Sequence, residues 1–461
     1  MLIARPDQEQ AIADIREAFY RGIKHVLFVG PCGMGKTVLF CDLTKRVSQK
    51  NKRIMIIAHR EELIDQISNT LNQFDLKHGI ISPNYYQENR HPAQVASVFS
   101  LARRLHNTPP PDLLVIDEAH HAIPNTTWGK VLNHYKQSWV LGVTATPKRL
   151  SGEGLHDTFD QMILGPDTRT LIDMGVLSDY RLFVPPGIDT TGLHIHMGDY
   201  VKSEVSERVN KRTITGDAIN HYKKLADGLP ALVFCVSIEA TKATSAHFKE
   251  AGYRAYSIDG KMDRTTRREV VKEFRNGQIQ LLVSCQLIDE GFDVPGVHCI
   301  INLNPTNSLA RYIQKIGRGL RGFPGKKETI ILDHAGDSLR HGLPDEERHW
   351  SLLGATKRSK SDSESASFKV CKACFAAVGN SAITCGYCGY VFEVKPREVE
   401  NVDGSLIELD KKHRRIEQGR ANTIEQLTEL GQQRGYKHPE KWAKYVYYAR
   451  KADEKIKKKV A

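Results

Sequence analysis

A glycine-rich turn between an apolar strand and a helix constrains this chain more than any other feature. Residues 26–37 read Val-Leu-Phe-Val-Gly-Pro-Cys-Gly-Met-Gly-Lys-Thr, which fits the pattern Gly-x₄-Gly-Lys-Thr. Glycines let successive backbone N–H groups turn inward around phosphate oxygens, and the N-terminus of the following helix adds its positive dipole end. We therefore predict a phosphate-binding loop, although a glycine loop without a ligand is the alternative. Its glycines are Gly30, Gly33 and Gly35. Lys36 would contact the β- and γ-phosphates, and the Thr37 hydroxyl would bind Mg²⁺.

Length and composition indicate a globular protein of several domains. The chain has 461 residues, of which 40% are hydrophobic and 26% charged, so two to four domains are expected. The sequence has no apolar run near the ~20 residues that a membrane helix needs. Residues 1–7 show no basic segment followed by an apolar core, so we expect a cytosolic protein and no membrane partner.

The charge is basic and unevenly distributed. The formal net charge is +12, and the residues from Ser351 onward contain 22 Lys and Arg against 14 Asp and Glu. This asymmetry favours a polyanionic partner, most simply a nucleic acid. A lysine-rich solvating surface is the alternative.

Short apolar runs alternate with amphipathic segments over the first three quarters of the chain. The predicted strands are His25–Val29, 53–58, 94–98, 113–116, 139–143, Ala231–Phe234, 254–258, 279–284, 297–303 and 329–332. The predicted helices include 61–74, 239–251, 264–276 and 308–316. Such alternation predicts parallel sheets with right-handed crossovers. We assign one α/β domain to residues 1–180 and a second to residues 181–350.

The last quarter of the chain has a different composition. Residues 357–367 read as a polar linker, residues 368–395 contain a cysteine cluster, and residues 409–461 form a basic tail with a helical pattern. The tail carries several aromatic side chains. They include Trp442, Tyr445, Tyr447 and Tyr448.

Four of the nine cysteines are crowded into 18 residues. The spacing is Cys371-x₂-Cys374-x₁₀-Cys385-x₂-Cys388, which places four thiolates within reach of one tetrahedral Zn²⁺. Iron is the rival metal. Because protein sulfur fills all four positions, the predicted site is structural. The nearby aromatic residues could stack on bases or plug the small core of a zinc ribbon. The other five cysteines are expected to be reduced thiols.

Two carboxylates end one of the predicted strands. Asp117 and Glu118 follow the apolar run at 113–116, and a strand end of a parallel sheet lies at its ligand-binding edge. Asp117 is the candidate ligand of Mg²⁺, and Glu118 is the candidate general base for an attacking water. A solvated acidic loop is the alternative.

The order of these motifs resembles that of superfamily 2 helicases of the DEAD/DEAH-box type. After the phosphate loop come Asp-Glu-Ala-His at 117–120, Thr-Ala-Thr-Pro at 144–147, Asp-Glu-Gly-Phe-Asp-Val-Pro at 289–295 and Gln-Lys-Ile-Gly-Arg-Gly-Leu-Arg at 314–321. The resemblance covers roughly residues 1–345. It implies two tandem RecA-like domains with ATP bound between them.

The resemblance also implies roles for residues at the ATP cleft. Arg5 and Gln8 match the adenine-reading element, and the amide of Gln8 offers both a donor and an acceptor. A motif of the second domain is matched by Gln314, Arg318 and Arg321. Its two arginines lie on opposite sides of the start of a helical turn, and in the family they reach the γ-phosphate. A surface salt bridge is the alternative, more so for Arg321. Two further ATP contacts are implied in the segment at 289–295. They are Gly291 and Asp293.

The path of the nucleic acid is implied by weaker matches. Arg60 matches a backbone-phosphate contact, Ser100 lies in the next contact element, and Thr144 and Thr146 match a motif that links the ATP state to the track. Hydroxyls and single arginines suit sequence-independent phosphate contact. Helix capping or surface charge would explain the same residues.

The domain order is similar to that of RadD-type DNA repair helicases and their phage-encoded relatives. This resemblance implies an ATP-dependent helicase or translocase on branched or partly single-stranded DNA in replication, recombination or repair, in the bacterial or phage-infected cytosol. RNA stays possible, as does a protein partner at the ribbon or tail. The alternatives are a duplex translocase that does not separate strands and a non-hydrolytic scaffold.

Overall fold

A computed structural model gives the arrangement of most of the chain. The residues described are 3–83, 85, 87–149, 153–185, 190, 192–196, 199–209, 212–285, 294, 296–354, 368–392, 421, 423–433, 439–440, 443–444 and 447. Within them, no helix is long and apolar enough to span a membrane. The predicted linker at 357–367, most of the basic tail, Gly291 and Asp293 lie outside the described residues.

The first part of the chain forms a seven-stranded parallel sheet. Its strands are β1 (His25–Val29), β2 (Ile54–Ala58), β3 (His78–Ile81), β4 (Ala93–Ser97), β5 (Leu113–Asp117), β6 (Trp139–Thr144) and β7 (Gln161–Leu164), in the order β3-β4-β2-β5-β6-β1-β7. Strands β2, β4 and β5 are buried at every position, because helices cover both faces of the sheet. The helices are α1 (Pro6–Tyr20), α2 (Lys36–Ser48), α3 (Glu61–Gln73), α4 (Val98–Arg104), α5 (Thr127–His134) and α6 (Thr168–Asp173).

A second parallel sheet of six strands follows. The segment from 179 to 341 contains β8 (Asp179–Phe183), a small hairpin of β9 (Ile195–His196) and β10 (Asp199–Tyr200), β11 (Ala231–Phe234), β12 (Ala255–Ile258), β13 (Leu281–Ser284), β14 (Cys299–Asn302) and β15 (Glu328–Asp333). The sheet order is β12-β13-β11-β14-β15-β8. Its helices are α7 (Lys202–Val209), α8 (Arg212–Leu225), α9 (Ile238–Glu250), α10 (Arg264–Arg275), α11 (Leu309–Gly319) and α12 (Asp337–His341). The two sheets are RecA-like, as the resemblance implied. The second sheet begins with β8, two residues before the predicted boundary at 181.

Each sheet separates two apolar cores because side chains alternate along its strands. Phe28 of β1 lies in the core beneath α1 and α2, and its neighbours Leu27 and Val29 lie in the core on the other face. The second sheet is built in the same way. The strand ends that carry polar residues are thereby fixed between rigid layers.

The cysteine cluster packs against the second sheet. Strands β16 (Phe368–Val370) and β17 (Ala377–Gly379) form a hairpin, and Ala376 forms a bridge with Phe183 of β8. The N–H of Val184 donates to the carbonyl of Phe375 at 2.8 Å. Edge strand β8 is therefore covered by the small cysteine-bearing unit. A separate tail helix, α13, spans Ile424–Gln433.

The chain returns to the first domain before the cysteine cluster. The backbone N–H groups of Leu155 and His156 donate to the carbonyl of Leu352, at 2.8 and 3.1 Å. Leu352 and Trp350 pack against the first-domain core. The two domains are thus joined by two crossings of the chain.

Candidate active site

A cavity of about 390 Å³ contains residues from both sheets. The loop after β1 and the acid pair after β5 reach the same edge of the first sheet because these strands are parallel and near neighbours. The wall from the second domain comes from the end of α11. The residues that line the cavity are Arg5, Cys32, Gly33, Gly35, Lys36, Thr37, Val38, Leu63, Gln66, Thr70, Asp117, Glu118, Val176, Arg318, Arg321 and Gly322.

The glycine loop adopts the backbone predicted for phosphate binding. Gly33 and Gly35 have φ of +84° and +87°, a region that favours glycine. Gly35 precedes the first residue of α2, so Lys36 and Thr37 open that helix and its N–H groups face the cavity edge. The Lys36 ammonium donates to the carbonyls of Gly30 and Pro31, at 2.9 and 3.1 Å. A polyanionic ligand offers stronger acceptors than these carbonyls.

Gln8 and Arg5 hold the loop from the side of α1. The Gln8 amide donates to the carbonyl of Gly35 at 3.1 Å and accepts from the N–H of Arg5 at 3.0 Å. Gln8 is only 1% exposed. Arg5 donates to the carbonyl of Met34 at 2.6 Å and pairs with Asp7 at 2.9 Å. Both side chains therefore support the loop backbone, and Arg5 also lines the cavity.

In the acid pair Asp117 is buried and Glu118 is half-buried. Asp117 accepts the N–H of Glu118 at 3.0 Å. Burial, reinforced by the Glu118 charge and opposed by Lys36, raises the pKa of Asp117 to about 7. A buried carboxylate of this kind calls for a cation, and its oxygen together with the Thr37 hydroxyl offers the hard ligands that Mg²⁺ prefers.

His120 lies between Glu118 and the end of β6. His120 Nδ1 lies 3.4 Å from Glu118 Oε2 and 3.0 Å from Thr144 Oγ1. The Thr144 hydroxyl in turn donates to the carbonyl of Thr146 and accepts the Thr146 N–H, both at 3.1 Å. His59, which precedes Arg60, lies beside His121, whose ring neighbours His120.

The end of α11 touches the glycine loop directly. A Cβ placed on Gly317 would lie 2.4 Å from Cys32 Cβ, and one on Gly33 would lie 3.3 Å from Arg321 Cγ. Arg318 is 6% exposed and lies in the last turn of α11. The sequence placed the two arginines near a helical turn start; that prediction was wrong, because the helix extends to Gly319 and they lie at its end.

A second, basic cleft of about 410 Å³ lies between the domains. Its described lining contains three cations, Arg60, Lys202 and Lys261, and no carboxylate. Ser237, the N-cap of α9, also lines it. Cations next to a helix N-terminus suit anionic phosphate groups.

The four clustered cysteines fit a tetrahedral metal. All four sulfur atoms lie within 4.8 Å of one another. Cys371 and Cys388 are 3.6 Å apart, and Cys374 and Cys385 are 3.7 Å apart. Four ligands at the ~2.3 Å of a Zn–S bond would be separated by about 3.8 Å. Burial raises the pKa of Cys371, but hydrogen bonds from the N–H groups of Cys374 and Ala373 and with the thiols of Cys388 and Cys374 together lower it to about 7.

Known protein families match the two sheet domains in turn. Residues 1–149 match the model of the Type III restriction enzyme res subunit, and residues 211–322 match the helicase conserved C-terminal domain. The chain is 33% identical over 386 residues to a 51.5 kDa protein of a Lactococcus phage (isolate 7-9), covering 83% of this chain and 82% of the phage protein. It is 29% identical over 358 residues to IRC3 of Saccharomyces cerevisiae, whose name describes an ATP-dependent helicase.

The chain belongs to the superfamily 2 helicases. This membership makes it an enzyme of the nucleic-acid-stimulated ATPase and helicase class, with ATP as cofactor and a nucleic acid as partner. The match to the yeast helicase covers 73% of this chain but 52% of the yeast protein. The chain therefore spans about half the length of that relative.

Solved structures share the helicase fold at low sequence identity. A protein described as an HsdR subunit fragment of a type I restriction enzyme from Vibrio vulnificus YJ016 has a TM-score of 0.60 at 20% identity, covering 75% of this chain and 67% of that one. The Type ISP restriction-modification enzyme LlaBIII bound to DNA has a TM-score of 0.55 at 16% identity, covering 72% and 27%. These likenesses concern the fold.

Several residues that were predicted to contact nucleic acid are buried. Thr144 and Thr146 are 0% and 1% exposed, and Ser100 is 7% exposed, whereas its neighbour Phe99 is 53% exposed. Contact of these three residues with nucleic acid stays a prediction. Gln314 is also buried in α11.

Sequence reasoning missed part of the basic cleft. Lys202, Ser237 and Lys261 line the basic cleft without having been singled out. Ser237 carried a usable signal, because a serine shortly after a buried strand and before a helix marks an N-cap at the ligand-binding edge. Lys202 and Lys261 carried none, since their proximity to Arg60 depends on how the domains pack.

Proposed function

We propose that this helicase is an ATP-driven motor that acts on DNA, branched or partly single-stranded, in replication, recombination or repair. The observation that carries the proposal is the 390 Å³ cavity, which brings the glycine loop, the acid pair and two arginines from the other domain together. ATP hydrolysis across such a cleft links the chemical step to opening and closing of the domains.

In this proposal the first domain binds and activates the nucleotide. Lys36 contacts the β- and γ-phosphates, and Thr37 with Asp117 would hold Mg²⁺, which supplies charge neutralisation at the phosphates. Glu118 orients the attacking water and accepts its proton. His120 positions the Glu118 carboxylate.

The second domain completes the site. Arg318 and Arg321 stabilise the charge that develops on the γ-phosphate, a role worth about 10³–10⁵ in rate in related chemistry. Gln314 lies in α11, the same helix as Arg318, and is proposed to take part in hydrolysis through that helix. Arg5 lines the cavity and is proposed to face adenine. Gln8 is 1% exposed and bonded to the loop, so its contact with adenine stays a prediction.

The basic cleft is the proposed track for the DNA backbone. Arg60, Lys202 and Lys261 come from both domains, so domain closure changes their spacing along a bound strand. DNA is preferred to RNA because residues 1–149 match the model of the Type III restriction enzyme res subunit.

The decisive measurement is ATP turnover with single-stranded, duplex and forked DNA and with matched RNA. We expect DNA to stimulate turnover and RNA to do so less. Glu118→Gln should reduce the stimulated rate by at least about 10³-fold while nucleotide binding persists. Glu17→Gln, an exposed change in the same domain, is the control. An undiminished rate in Glu118→Gln would contradict the catalytic assignment.

Duplex translocation without strand separation is the second candidate. It is favoured by the restriction-enzyme family that matches residues 1–149. A strand-displacement assay beside a triplex-displacement assay separates the two functions. A helicase is expected to be active in both assays, whereas a translocase displaces only the third strand of the triplex.

We also propose that the four clustered cysteines hold a structural Zn²⁺. Their sulfur spacing matches the separation expected around one zinc ion. All four positions are filled by protein sulfur, which leaves none for a substrate. Iron would be distinguished by metal analysis of the purified protein.

A further inference from the structure

The turn that carries the two arginines is held by groups outside helix α11. We call residues 318–321 the arginine turn. Its last three carbonyls lie at the C-terminus of α11, where a helix lacks its own donors. The carbonyl of Leu320 accepts the N–H of Ser178 at 2.8 Å. The carbonyl of Gly319 accepts the Thr329 hydroxyl at 2.9 Å.

Lys326 contacts two of these three carbonyls. Its ammonium donates to the carbonyl of Arg321 at 3.0 Å and also to the carbonyl of Gly319. A cation at this end of a helix is favoured by the helix dipole. Burial lowers the pKa of Lys326 to about 7. The Lys326 ammonium therefore donates to two backbone oxygens in surroundings where desolvation disfavours its charge.

The arginine turn is enclosed on its other sides. Arg321 pairs with Leu177 in an antiparallel bridge. A Cβ on Gly322 would lie 2.9 Å from the carbonyl of Val176, and one on Gly33 would lie 2.7 Å from Leu177 Cδ2. The turn is thus clamped between the glycine loop, residues 176–178 and Lys326. Movement of its backbone would shift the Arg321 side chain at the nucleotide cavity.

We propose that Lys326 is a positioning residue for Arg318 and Arg321. It ties the carbonyls of Gly319 and Arg321 into one rigid turn, so that both guanidinium groups are pre-oriented toward the γ-phosphate. Lys326 is not among the described residues that line the cavity, and it acts through the backbone. The inference rests on the proposed role of the two arginines in hydrolysis.

The adjacent residue supplies a matched control. Lys327 has the same chemistry and is exposed, whereas Lys326 is half-buried. Lys326→Met removes the ammonium and keeps a side chain of similar length. Lys326→Arg retains a cationic donor, and Lys327→Met removes only the neighbouring charge. Arg321→Ala reports the contribution of the arginine itself.

The test is DNA-stimulated ATP hydrolysis by the full chain, with ADP affinity and thermal unfolding measured in parallel. We expect Lys326→Met to lower kcat by about 10- to 100-fold, the range for misplaced reacting groups. ADP affinity should stay within about twofold, because the first domain supplies the loop. Lys326→Arg should recover part of the rate, and Lys327→Met should match the wild type.

The variants also separate this inference from the proposed function. If kcat of Lys326→Met is within about twofold of the wild type while Arg321→Ala is slow, the positioning role of Lys326 is overturned and the proposed role of Arg321 stands. A wild-type rate in Arg321→Ala overturns both. In the Arg321→Ala background, Lys326→Met should cost less than it does alone, because the two residues act as a unit. If Lys326→Met is poorly folded and Lys326→Arg does not recover the rate, Lys326 is a folding residue and the inference fails.

Discussion

Glu118 occupies a backbone conformation that few residues other than glycine adopt. Its φ of +51° and ψ of 54° are left-handed, and the adjacent Asp117 carboxylate accepts its N–H. Such a conformation costs of order 1 kcal/mol for a residue with a side chain. The strain turns the chain sharply at the end of β5, so two successive carboxylates both line the nucleotide cavity.

A buried histidine that does not line the nucleotide cavity makes stability depend on pH. His334 is 1% exposed, and its ring lies 5.1 Å from that of His221. Burial lowers the pKa of His334 from 6.5 to about 3. The folded state therefore holds His334 neutral at pH values where the unfolded chain takes up a proton.

The sign of this effect gives a prediction for acid unfolding. The stability that His334 contributes is fully present above pH 6.5 and is lost as the pH falls from 6.5 toward 3, by up to a few kcal/mol. We expect His334→Asn to flatten the decline of Tm between pH 6.5 and 4.5. Thermal unfolding over that range is the measurement. His106→Asn, at an exposed site, should keep the wild-type slope; equal slopes in all three proteins would contradict the prediction.

At the level of elements, β8 connects the cysteine cluster to the nucleotide cavity. Leu177 and Ser178, just before it, contact the glycine loop and the arginine turn. Phe183 and Val184, at its other end, bond to the cysteine-bearing unit. The side chain of Phe375 also packs against His221 of α8. The small unit therefore closes the edge of the second sheet.

Metal removal should weaken the second domain. The proposed zinc site predicts one zinc ion per chain. A chelator or Cys388→Ser should lower that content and reduce Tm by roughly 5–10 °C, because metal binding is coupled to folding. ADP binding by the first domain should persist. Metal analysis and calorimetry are the measurements. Cys32→Ser is the control for metal content, and unchanged Tm after full zinc loss would contradict the prediction.

The sequence predicted the central strands well and missed three of the four edge strands of the two parallel sheets; the fourth, β12, was predicted at 254–258 and spans Ala255–Ile258. β1 and β11 have the bounds predicted from their apolar runs, since central parallel strands are buried on both faces. β3, β7 and β8 were missed. Each of them contains partly exposed positions, so its pattern depends on which neighbours cover it.

The candidate site shows the same division. The glycine loop, Asp117 and Glu118 share one cavity because local turns at the ends of parallel strands determine their positions. The two arginines lie at the end of α11, and only the resemblance implied that they reach this cavity from the second domain. Lys326 and Lys261 carry no local signal. Their roles depend on contacts between segments far apart in sequence, which only the packed structure reveals.

At the level of the whole molecule, two ion pairs join the domains across the cleft. Arg267 of α10 pairs with Glu62 of α3 at 2.5 Å, and Arg268 pairs with Asp65 at 2.5 Å. Partly exposed pairs contribute about 0.2–1 kcal/mol each. Such pairs bias the cleft toward closure, and the binding of ATP and nucleic acid can still dominate the equilibrium.

Removing the two ion pairs should open the cleft in the absence of ligands. Arg267→Gln combined with Arg268→Gln is expected to increase the radius of gyration measured by small-angle X-ray scattering at low salt. The difference from wild type should shrink at high salt, where screening weakens the native pairs. Lys272→Gln with Arg275→Gln removes two exposed cations from the same helix and is the control. Equal radii of gyration in all three proteins would contradict the prediction. The closed arrangement would then depend on packing at the arginine turn and on the two chain crossings.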